Sequence, residues 1–348
     1  MAGFVEQPTM SAPTDGLRVG FIGCGGVAQN HFSGISTFED VEMAAFCDLD
    51  SDRAESTAAK YGGAAYTSAE RLFEERGGEL DAVYIILPPF AHGAAERAAI
   101  ERGIPFFVEK PVGNDLGLLR EIEQAVRGAS LITSVGYMTR YRQSVQEAKR
   151  SLRDDPAVMA HGGWIGGAPK GNAAIHSWWV VREKSGGQLV EQTTHTVDLA
   201  RYLMGEVVEV WAAAARGFVQ GVPNYTNDDA SLCTARFESG AIASFYSACC
   251  ADAPGGESRG VHFNVYARRH TLEFSGWDQA VKLYNADGWS REIKGEPDIF
   301  KREDRAFVDA VKSGDRSSIL CDYADGFRTA QVTLAANTSM ETGKPVSL

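Results

Sequence analysis

The sequence LRVGFIGCGGVA, residues 17–28, decides the fold of this chain. An apolar strand runs directly into GCGGVA, a GxGxxA loop that predicts a helix opening behind it. In such a loop Gly23 permits the tight turn, Gly25 lets the backbone approach a pyrophosphate, and Ala28 lets the helix pack on the strand. The residues that we expect to contact a cofactor here are Gly23, Gly25, Gly26, Val27 and Ala28. Because the pattern alone is weak evidence, an ordinary glycine-rich turn stays the alternative.

An acid at the end of the next predicted strand, residues 41–48, strengthens this interpretation. Asp48 lies 25 residues after Gly23, near the place where an acid binds the adenosine ribose hydroxyls. Asp48 would repel a 2'-phosphate, and two more acids, Asp50 and Asp52, precede the first base, Arg53. The sequence therefore favours NAD over NADP as the cofactor, the alternative being that Asp48 is a surface aspartate.

Composition points to a globular enzyme of two domains. The chain has 348 residues, of which 44% are hydrophobic and 23% charged, and it carries a net charge of −12. This acidic balance disfavours nucleic acid and anionic membrane as partners, because binding phosphates requires clustered Lys and Arg. The six cysteines show no spacing typical of a zinc site or a disulfide framework, so we expect no metal and a reducing, cytoplasmic location. Residues 1–16 have no signal-peptide pattern and are predicted to be a flexible tail.

Alternating strands and helices predict a Rossmann NAD-binding domain over residues 17–136. Near-continuous apolar strands there indicate a parallel sheet covered by helices on both faces. Residues 137–348 are predicted to form an α/β domain with an open, largely antiparallel sheet, because short alternating strands with polar turns dominate. The predicted strands of the first domain are 17–22, 41–48, 81–87, 105–108 and 131–135, and those of the second are 157–165, 206–217, 230–237, 241–248, 261–267, 270–275 and 279–284. Two closing helices, about 299–313 and 321–341, are expected to pack back on the first domain.

Lys110 is the first candidate for a catalytic group. It follows the strand that ends at the sequence Glu109-Lys110-Pro111, at the carboxyl edge of the sheet, where doubly wound folds bind their ligands. Oxidation of an alcohol releases a hydride to nicotinamide and a proton to a base, so a group that exchanges protons must lie near the hydroxyl. Partial burial and a neighbouring cation would lower the pKa of the lysine toward working pH. The alternative is a solvated lysine paired with Glu109.

These segments together resemble the glucose-fructose oxidoreductase/inositol dehydrogenase (Gfo/Idh/MocA) family. The resemblance rests on the GxGxxA loop, the EKP sequence 109–111, the stretch SGGQLVEQTTHTVDLARYLMG at 185–205 and the closing segment 305–346. It implies a nicotinamide-binding Rossmann domain joined to a domain whose open sheet lines the substrate cleft and often an oligomer interface. It also implies that Lys110 and His195 are catalytic and that Pro111 follows a cis peptide bond.

Glu191 and His195 are predicted to act together. Glu191, His195 and Asp198 are spaced by four and three residues, which places them on one face of a single predicted helix beginning near Glu191. Glu191 could then orient His195, whose ordinary pKa of about 6.5 suits a proton shuttle. The family pattern has an aspartate with a glycine two residues later, where this chain has Glu191 and Thr193, so Glu191 could instead contact the substrate. The alternative for His195 is a core histidine that forms local hydrogen bonds and has no catalytic role. Asp198 is predicted to be structural.

Further candidates follow from position and residue type. Leu87, Pro88 and His92, at and after the end of the predicted strand 81–87, should border the cofactor, as should Glu109 and Lys110. Aromatic faces suit sugar rings, whose axial hydrogens form apolar patches. The predicted substrate-binding residues are Arg140, Tyr141, His176, Trp178 and Trp179, although domain packing is equally expected of the two tryptophans.

The sequence therefore predicts an NAD-dependent oxidoreductase that acts on a secondary hydroxyl of a sugar, sugar derivative or cyclitol. A homodimer or homotetramer formed through the open sheet is expected. One alternative is an NAD-dependent glycosidase that oxidises its substrate transiently and eliminates the aglycone. Another is a non-catalytic dinucleotide-sensing regulator, which the presence of both Lys110 and His195 disfavours.

Overall fold

Six strands of the first half form one parallel sheet in the order β3-β2-β1-β4-β5-β6. We describe a computed structural model, which covers residues 16–170, 175–252 and 260–348, so the predicted tail lies almost wholly outside the described residues. The strands are β1 (Leu17–Ile22), β2 (Val41–Cys47), β3 (Ala64–Tyr66), β4 (Ala82–Ile85), β5 (Phe106–Val108) and β6 (Thr133–Val135). This is the strand order of dinucleotide-binding doubly wound folds. The predicted parallel sheet is confirmed.

Helices connect these strands and cover both faces of the sheet. They are α1 (Ala28–Ile35), α2 (Ser51–Tyr61), α3 (Ala69–Arg76), α4 (Ala94–Glu101) and α5 (Leu116–Gly128). All residues of β4, β5 and β6 are buried, which explains their continuous apolar sequences. Strand β3 and helix α3 were not predicted, because a three-residue strand and a charged eight-residue helix give weak periodic signals.

The second sheet has nine strands in the order β14-β13-β12-β11-β7-β10-β9-β8-β15. They are β7 (Ala157–Ile165), β8 (Val207–Ala215), β9 (Ala230–Phe237), β10 (Ile242–Ala248), β11 (Gly260–Ala267), β12 (His270–Ser275), β13 (Ala280–Asn285), β14 (Ser290–Ile293) and β15 (Val346–Ser347). All neighbours pair antiparallel except β7 with β10, which confirms the largely antiparallel prediction. Buried and exposed residues alternate strictly along β9, so only one face of the sheet joins the core.

The remaining helices join the two sheets. They are α6 (Gln143–Ser151), α7 (Arg182–Ser185), α8 (Gln188–Glu191), α9 (Thr194–Met204), α10 (Ile299–Ser313) and α11 (Tyr323–Thr342). Helix α10 packs on α1, and α11 packs on both α5 and β8. The sequence predicted one helix beginning near Glu191, which is wrong: α8 ends at Glu191 and α9 begins at Thr194. Over the described residues we find no helix with the length and apolar character needed to cross a membrane.

Candidate active site

Four neighbouring strand ends meet at the carboxyl edge of the parallel sheet. Gly23 follows β1, Asp48 follows β2, Leu87 lies just beyond β4 and Lys110 lies just beyond β5, and these strands are adjacent in the order β2-β1-β4-β5. Parallel strands end at one edge, so loops far apart in sequence form one site there. Open parallel sheets bind ligands at this edge.

The glycine loop has the shape that a dinucleotide requires. Gly23 has a φ of +99°, and a Cβ there would lie 2.0 Å from the carbonyl oxygen of Ile86. A Cβ at Gly25 or Gly26 would meet no atom within 4 Å, so the backbone of both faces open space. Because both open positions lack side chains at the start of α1, the loop leaves room for a pyrophosphate beside the helix amides.

Alanine substitutions at Gly23 and Gly25 should therefore affect different properties, the first the stability of the fold and the second the binding of NAD. Gly23→Ala is expected to lower the free energy of unfolding by roughly 2 kcal/mol or more, because it adds a clash to a left-handed backbone. Gly25→Ala should leave unfolding unchanged and weaken NAD binding about tenfold or more, because its methyl group would occupy the phosphate approach. Chemical denaturation and NAD titration measure the two effects. Unimpaired NAD binding by Gly25→Ala would show that the pyrophosphate does not use this loop.

Asp48 organises the same loop through both carboxylate oxygens. Its Oδ2 accepts the backbone N–H of Cys24 at 2.9 Å, and its Oδ1 accepts that of Asp50 at 3.0 Å. The guanidinium of Arg53 lies 3.1 Å from Oδ1, so this base pairs directly with the acid. Burial, together with the charge of Asp48, raises the pKa of Cys24 to about 12, so the cysteine between the glycines is a neutral thiol. The loop thus holds one partly buried acid, paired with Arg53, at the edge of the sheet.

Lys110 extends from the end of β5 toward the second sheet. The Lys110–Pro111 peptide bond is cis, as the family resemblance implied. The lysine Nζ donates to the carbonyl oxygen of Glu191 at 3.2 Å and lies 3.4 Å from its Oε1. The closest charged partner of Lys110 is therefore a carboxylate and not the cation that the sequence analysis expected. Both side chains are largely buried, so solvent has little access to the ion pair.

Glu191 is held between Lys110 and Trp179. Its Oε1 faces the lysine, and its Oε2 accepts the indole N–H of Trp179 at 2.6 Å. Because α8 and α9 are separate helices, Glu191 and His195 do not form one helical row. Among the described residues no hydrogen bond joins them, so the prediction that Glu191 orients His195 is wrong. The carboxylate positions Lys110 instead.

His195 stands in the first turn of α9 with its ring between two aromatic side chains. The rings of Tyr137 and Trp277 meet it edge-on at centroid distances of 6.2 Å and 6.3 Å. Burial, with the positive charges of Lys110 and Arg142, holds the pKa of His195 well below its usual value. Its Nδ1 is buried and has no hydrogen-bond partner within the described part of the chain. His195 is therefore a neutral imidazole close to the lysine charge.

Arg140 and Tyr141 lie away from this site, so their predicted contact with substrate is wrong. Arg140 is buried and donates twice to Asp198, at 2.7 Å and 2.8 Å, and it also pairs with Asp325. The hydroxyl of Tyr141 accepts the backbone N–H of Leu320 at 2.9 Å. Arg140 ties the end of the Rossmann sheet to α9 and α11, and Tyr141 ties it to the segment before α11. Asp198 is structural, as predicted.

His92 and Glu109 also point away from an approaching ligand. His92 is buried, with Nδ1 2.6 Å from Glu96 Oε1 and Nε2 3.1 Å from the carbonyl oxygen of Leu87. It therefore holds the Leu87-Pro88 turn beside the glycine loop without facing the cleft. Glu109 is buried, and its Oε1 lies 3.1 Å from Nε2 of His31. Direct contact of His92 and Glu109 with a cofactor, as predicted, does not fit this geometry.

Of the remaining predicted residues, Trp179 lies against the Lys110–Glu191 pair. Trp179 contacts Glu191 directly, and its ring meets Trp164 edge-on at 6.4 Å. Trp178 and His176 are partly exposed on the same short helical turn. Sequence reasoning missed Tyr137, Trp277 and Arg142, which surround His195, because nothing in the local pattern of these distant segments marks them. Tyr137 additionally bonds Thr194 at 2.8 Å, which fixes the start of α9.

Fold and site define a two-domain oxidoreductase with a Rossmann domain that binds NAD. The family model for the oxidoreductase family with an NAD-binding Rossmann fold matches residues 17–137, and the GFO/IDH/MocA C-terminal domain matches residues 158–273. The chain belongs to the Gfo/Idh/MocA family of NAD-dependent oxidoreductases, which confirms the resemblance and the cofactor.

Relatives and solved structures agree with this family. The chain is 27% identical over 344 residues to the uncharacterized oxidoreductase YrbE of Bacillus subtilis, which covers 96% of this chain and 97% of the relative. It is 27% identical over 281 residues to scyllo-inositol 2-dehydrogenase (NAD(+)) of the same organism, covering 77% of this chain and 78% of the relative. The structure of levoglucosan dehydrogenase with NADH and levoglucosan superposes with a TM-score of 0.84 at 19% identity, covering 95% of this chain and 99% of that one, and shows the same fold.

Proposed function

We propose that this protein oxidises or reduces a secondary hydroxyl or carbonyl of a sugar, sugar derivative or cyclitol, using Lys110 and His195 to exchange the proton. The observation that carries the proposal is the Lys110–Glu191 pair beside His195, at the edge of the sheet where the NAD loop opens. Bound NAD would supply the acceptor for the hydride of the substrate carbon, and Lys110 and His195 would handle the proton of the hydroxyl.

The electrostatics support a division of roles between the two residues. The Lys110 ammonium, fixed by Glu191, can donate a hydrogen bond to the reacting oxygen and stabilise negative charge that develops on it. His195 is neutral and partly exposed, so its imidazole can accept the hydroxyl proton. The lysine charge that lowers the pKa of His195 would also favour return of the proton in the reductive direction.

The proposed substrate class rests on the relatives and on the shape of the site. The relatives include proteins named inositol 2-dehydrogenase and D-apiose dehydrogenase, which act on polyhydroxylated compounds. Trp179 contacts Glu191, Trp178 precedes it on the same short helical turn, and flat aromatic faces suit the apolar patches of such compounds. We propose that Trp178 and His176 contact the substrate, whereas Trp179 mainly holds Glu191.

A screen tests this function. Monosaccharides, glycosides and inositols are supplied with NAD and the purified protein, and absorbance at 340 nm is followed. We expect NADH formation with at least one polyol. Hydrolysis of a glycoside without net NADH would support the glycosidase alternative instead. Neither reaction with any compound, in a protein that binds NAD, would favour a dinucleotide sensor.

Cofactor preference should depend on Asp48. Asp48→Ala should weaken NAD binding and narrow the preference over NADP, because it removes the ribose acceptor and frees the Arg53 guanidinium for a 2'-phosphate. Asp48→Ser combined with Leu49→Arg should move the preference toward NADP, since Leu49 is 92% exposed and can carry a base without disturbing the core. Activity ratios with the two cofactors measure this. Equal use of both by the unaltered protein would refute the role of Asp48.

We further propose that subunits associate through the open face of the second sheet. Large apolar side chains project from this face, including Trp211, Leu232 and Ile242, and are 45%, 62% and 48% exposed. Covering them would remove apolar surface from water. Analytical ultracentrifugation should show a dimer or tetramer, and Leu232→Glu should dissociate it.

A further inference from the structure

A buried histidine links the first helix of the Rossmann fold to the segment that carries Lys110. His31, on α1, has no exposed surface. Its Nδ1 lies 2.7 Å from Oδ1 of Asp304, and its Nε2 lies 3.1 Å from Oε1 of Glu109. The first partner comes from α10, 273 residues later in the chain, and the second comes directly before Lys110.

The two partners determine the charge of His31. An ionised carboxylate only accepts hydrogen bonds, so two ionised carboxylates on the two ring nitrogens require both nitrogens to carry protons. Burial raises the pKa of Asp304 above its usual value, and the charge and hydrogen bond of His31 oppose that rise and favour the ionised form. Burial by itself opposes the charged ring, but Asp304 and Glu109 outweigh it and hold the pKa of His31 well above its usual value. His31 is therefore an imidazolium at neutral pH.

The other groups that face His31 do not neutralise the positive charge of its imidazolium. Glu303, also on α10, is fully buried and has no hydrogen-bond partner on either oxygen within the described residues. Burial and the charge of Glu109 raise the pKa of Glu303 well above its usual value, which favours its neutral form. Tyr84 on β4, Phe107 on β5 and Phe300 on α10 pack their rings around the imidazole and exclude water.

Glu109 transmits the position of His31 to the lysine. One carboxylate oxygen of Glu109 accepts a hydrogen bond from the imidazolium of His31, and the other accepts the backbone N–H of Lys110 at 2.8 Å. The Glu109 carboxylate also lies close against the backbone of Gly136. A Cβ at Gly136 would lie only 2.7 Å from the carboxylate carbon. The Glu109 carboxylate is therefore held through both of its oxygens, and one of them is bonded to the backbone of Lys110.

We propose that His31 is a positioning residue of the active site, in which the imidazolium, bridging Asp304 and Glu109, fixes the Glu109 carboxylate against the backbone of Lys110 and so sets where the lysine side chain lies. This inference rests on the proposed catalytic role of Lys110. It assigns a function to the His31–Asp304–Glu109 cluster, which the hydride chemistry itself does not use.

The protonation state can be measured directly on the unaltered protein. In protein labelled with ¹⁵N-histidine at pH 8, where an ordinary histidine with a pKa of about 6.5 is neutral, both ring nitrogens of His31 should still carry protons. His31→Gln identifies the signals by removing them. His270 is the matched control, because Asp155 faces its Nδ1 while the amide nitrogen of Asn285 faces its Nε2. A His31 nitrogen without a proton at pH 8 would overturn the proposal.

Asp304→Asn tests the consequence for catalysis. This substitution keeps the shape and removes the charge that stabilises the imidazolium, so His31 should lose a proton within the working pH range. We expect turnover at pH 8 to fall at least tenfold relative to the unaltered protein, with the NAD dissociation constant changed less than threefold. The ratio of variant to unaltered turnover should recover as the pH is lowered toward 6. His270→Gln should leave turnover unchanged.

A merely structural role for the cluster predicts another result. Asp304→Asn would then lower the melting temperature and leave the turnover ratio constant with pH, which would overturn the positioning role. Failure of the proposed function is distinguishable, because Lys110→Met would then retain turnover while the ¹⁵N signals of His31 stayed those of an imidazolium.

Discussion

Lys110→Met is expected to lower turnover by about 10²-fold or more while the NAD dissociation constant changes only a few-fold. The methionine keeps the length and the apolar stem of the lysine but removes the ammonium that contacts Glu191 at 3.2 Å and 3.4 Å. Neither contact involves the glycine loop or Asp48, so cofactor binding should survive. Steady-state kinetics and NAD titration by fluorescence measure the two quantities separately.

Lys294→Met is the matched control for this substitution. Lys294 is exposed after β14, so its replacement removes the same charge from the protein without touching the site. Its turnover should equal that of the unaltered protein. Near-normal turnover of Lys110→Met would remove the lysine from the mechanism, because a general acid–base group typically contributes at least this much.

The parts of the fold that sequence predicts well are those with local signals. Strand β1, the glycine loop and Asp48 lie within one βαβ unit, where turn chemistry and apolar runs determine the backbone directly. Lys110 could be predicted for the same reason, because a strand end in a parallel sheet has a known place. The boundary between the two domains, predicted at residues 136 and 137, stays a prediction.

The errors concern side chains whose partners are distant in sequence. Arg140 follows β6 and could have faced the cleft, but Asp198 and Asp325 attract its guanidinium into a buried ion pair. A buried guanidinium is costly unless it is paired, so the position of these two acids decides its direction. Local sequence contains neither acid. His92 is a different case, because the partner that binds it, Glu96, lies only four residues later.

The break between α8 and α9 shows a second kind of error. The spacing of Glu191 and His195 fits one helix, yet the chain turns at Gln192 and Thr193. The Thr193 hydroxyl donates to the carbonyl oxygen of Tyr246 on β10, which ties this turn to the second sheet. A tertiary contact therefore interrupts the helix that the sequence spacing predicts. As a result, the Glu191 side chain contacts Lys110 and not His195.

This redirection changes what double substitutions should show. Glu191→Gln is expected to lower turnover, because Lys110 loses the carboxylate that fixes it. Combined with Lys110→Met, it should add almost nothing, since residues that act as one unit are not additive. Combined with His195→Ala, its loss should add to the loss from the histidine. The reverse pattern would restore the view that Glu191 orients His195.

His195→Ala is expected to lower turnover by about 10²-fold to 10⁴-fold, because it removes the proposed proton acceptor. The pH profile adds a sharper test. Since burial, Lys110 and Arg142 hold the pKa of His195 well below its usual value, the acidic limb of kcat/KM should lie below about pH 6.5. In Lys110→Met the ring loses a neighbouring positive charge, so its pKa should rise and the acidic limb of the residual activity should move to higher pH.

His161→Gln is the control for the histidine, because within the described residues the His161 ring bonds the hydroxyl of Tyr266 on the second sheet. The pH profile of this variant should match that of the unaltered protein. An acidic limb that stays in place when Lys110 is replaced would mean that another group titrates there. The proton would then leave through the lysine alone, and His195 would serve to shape the pocket between Tyr137 and Trp277.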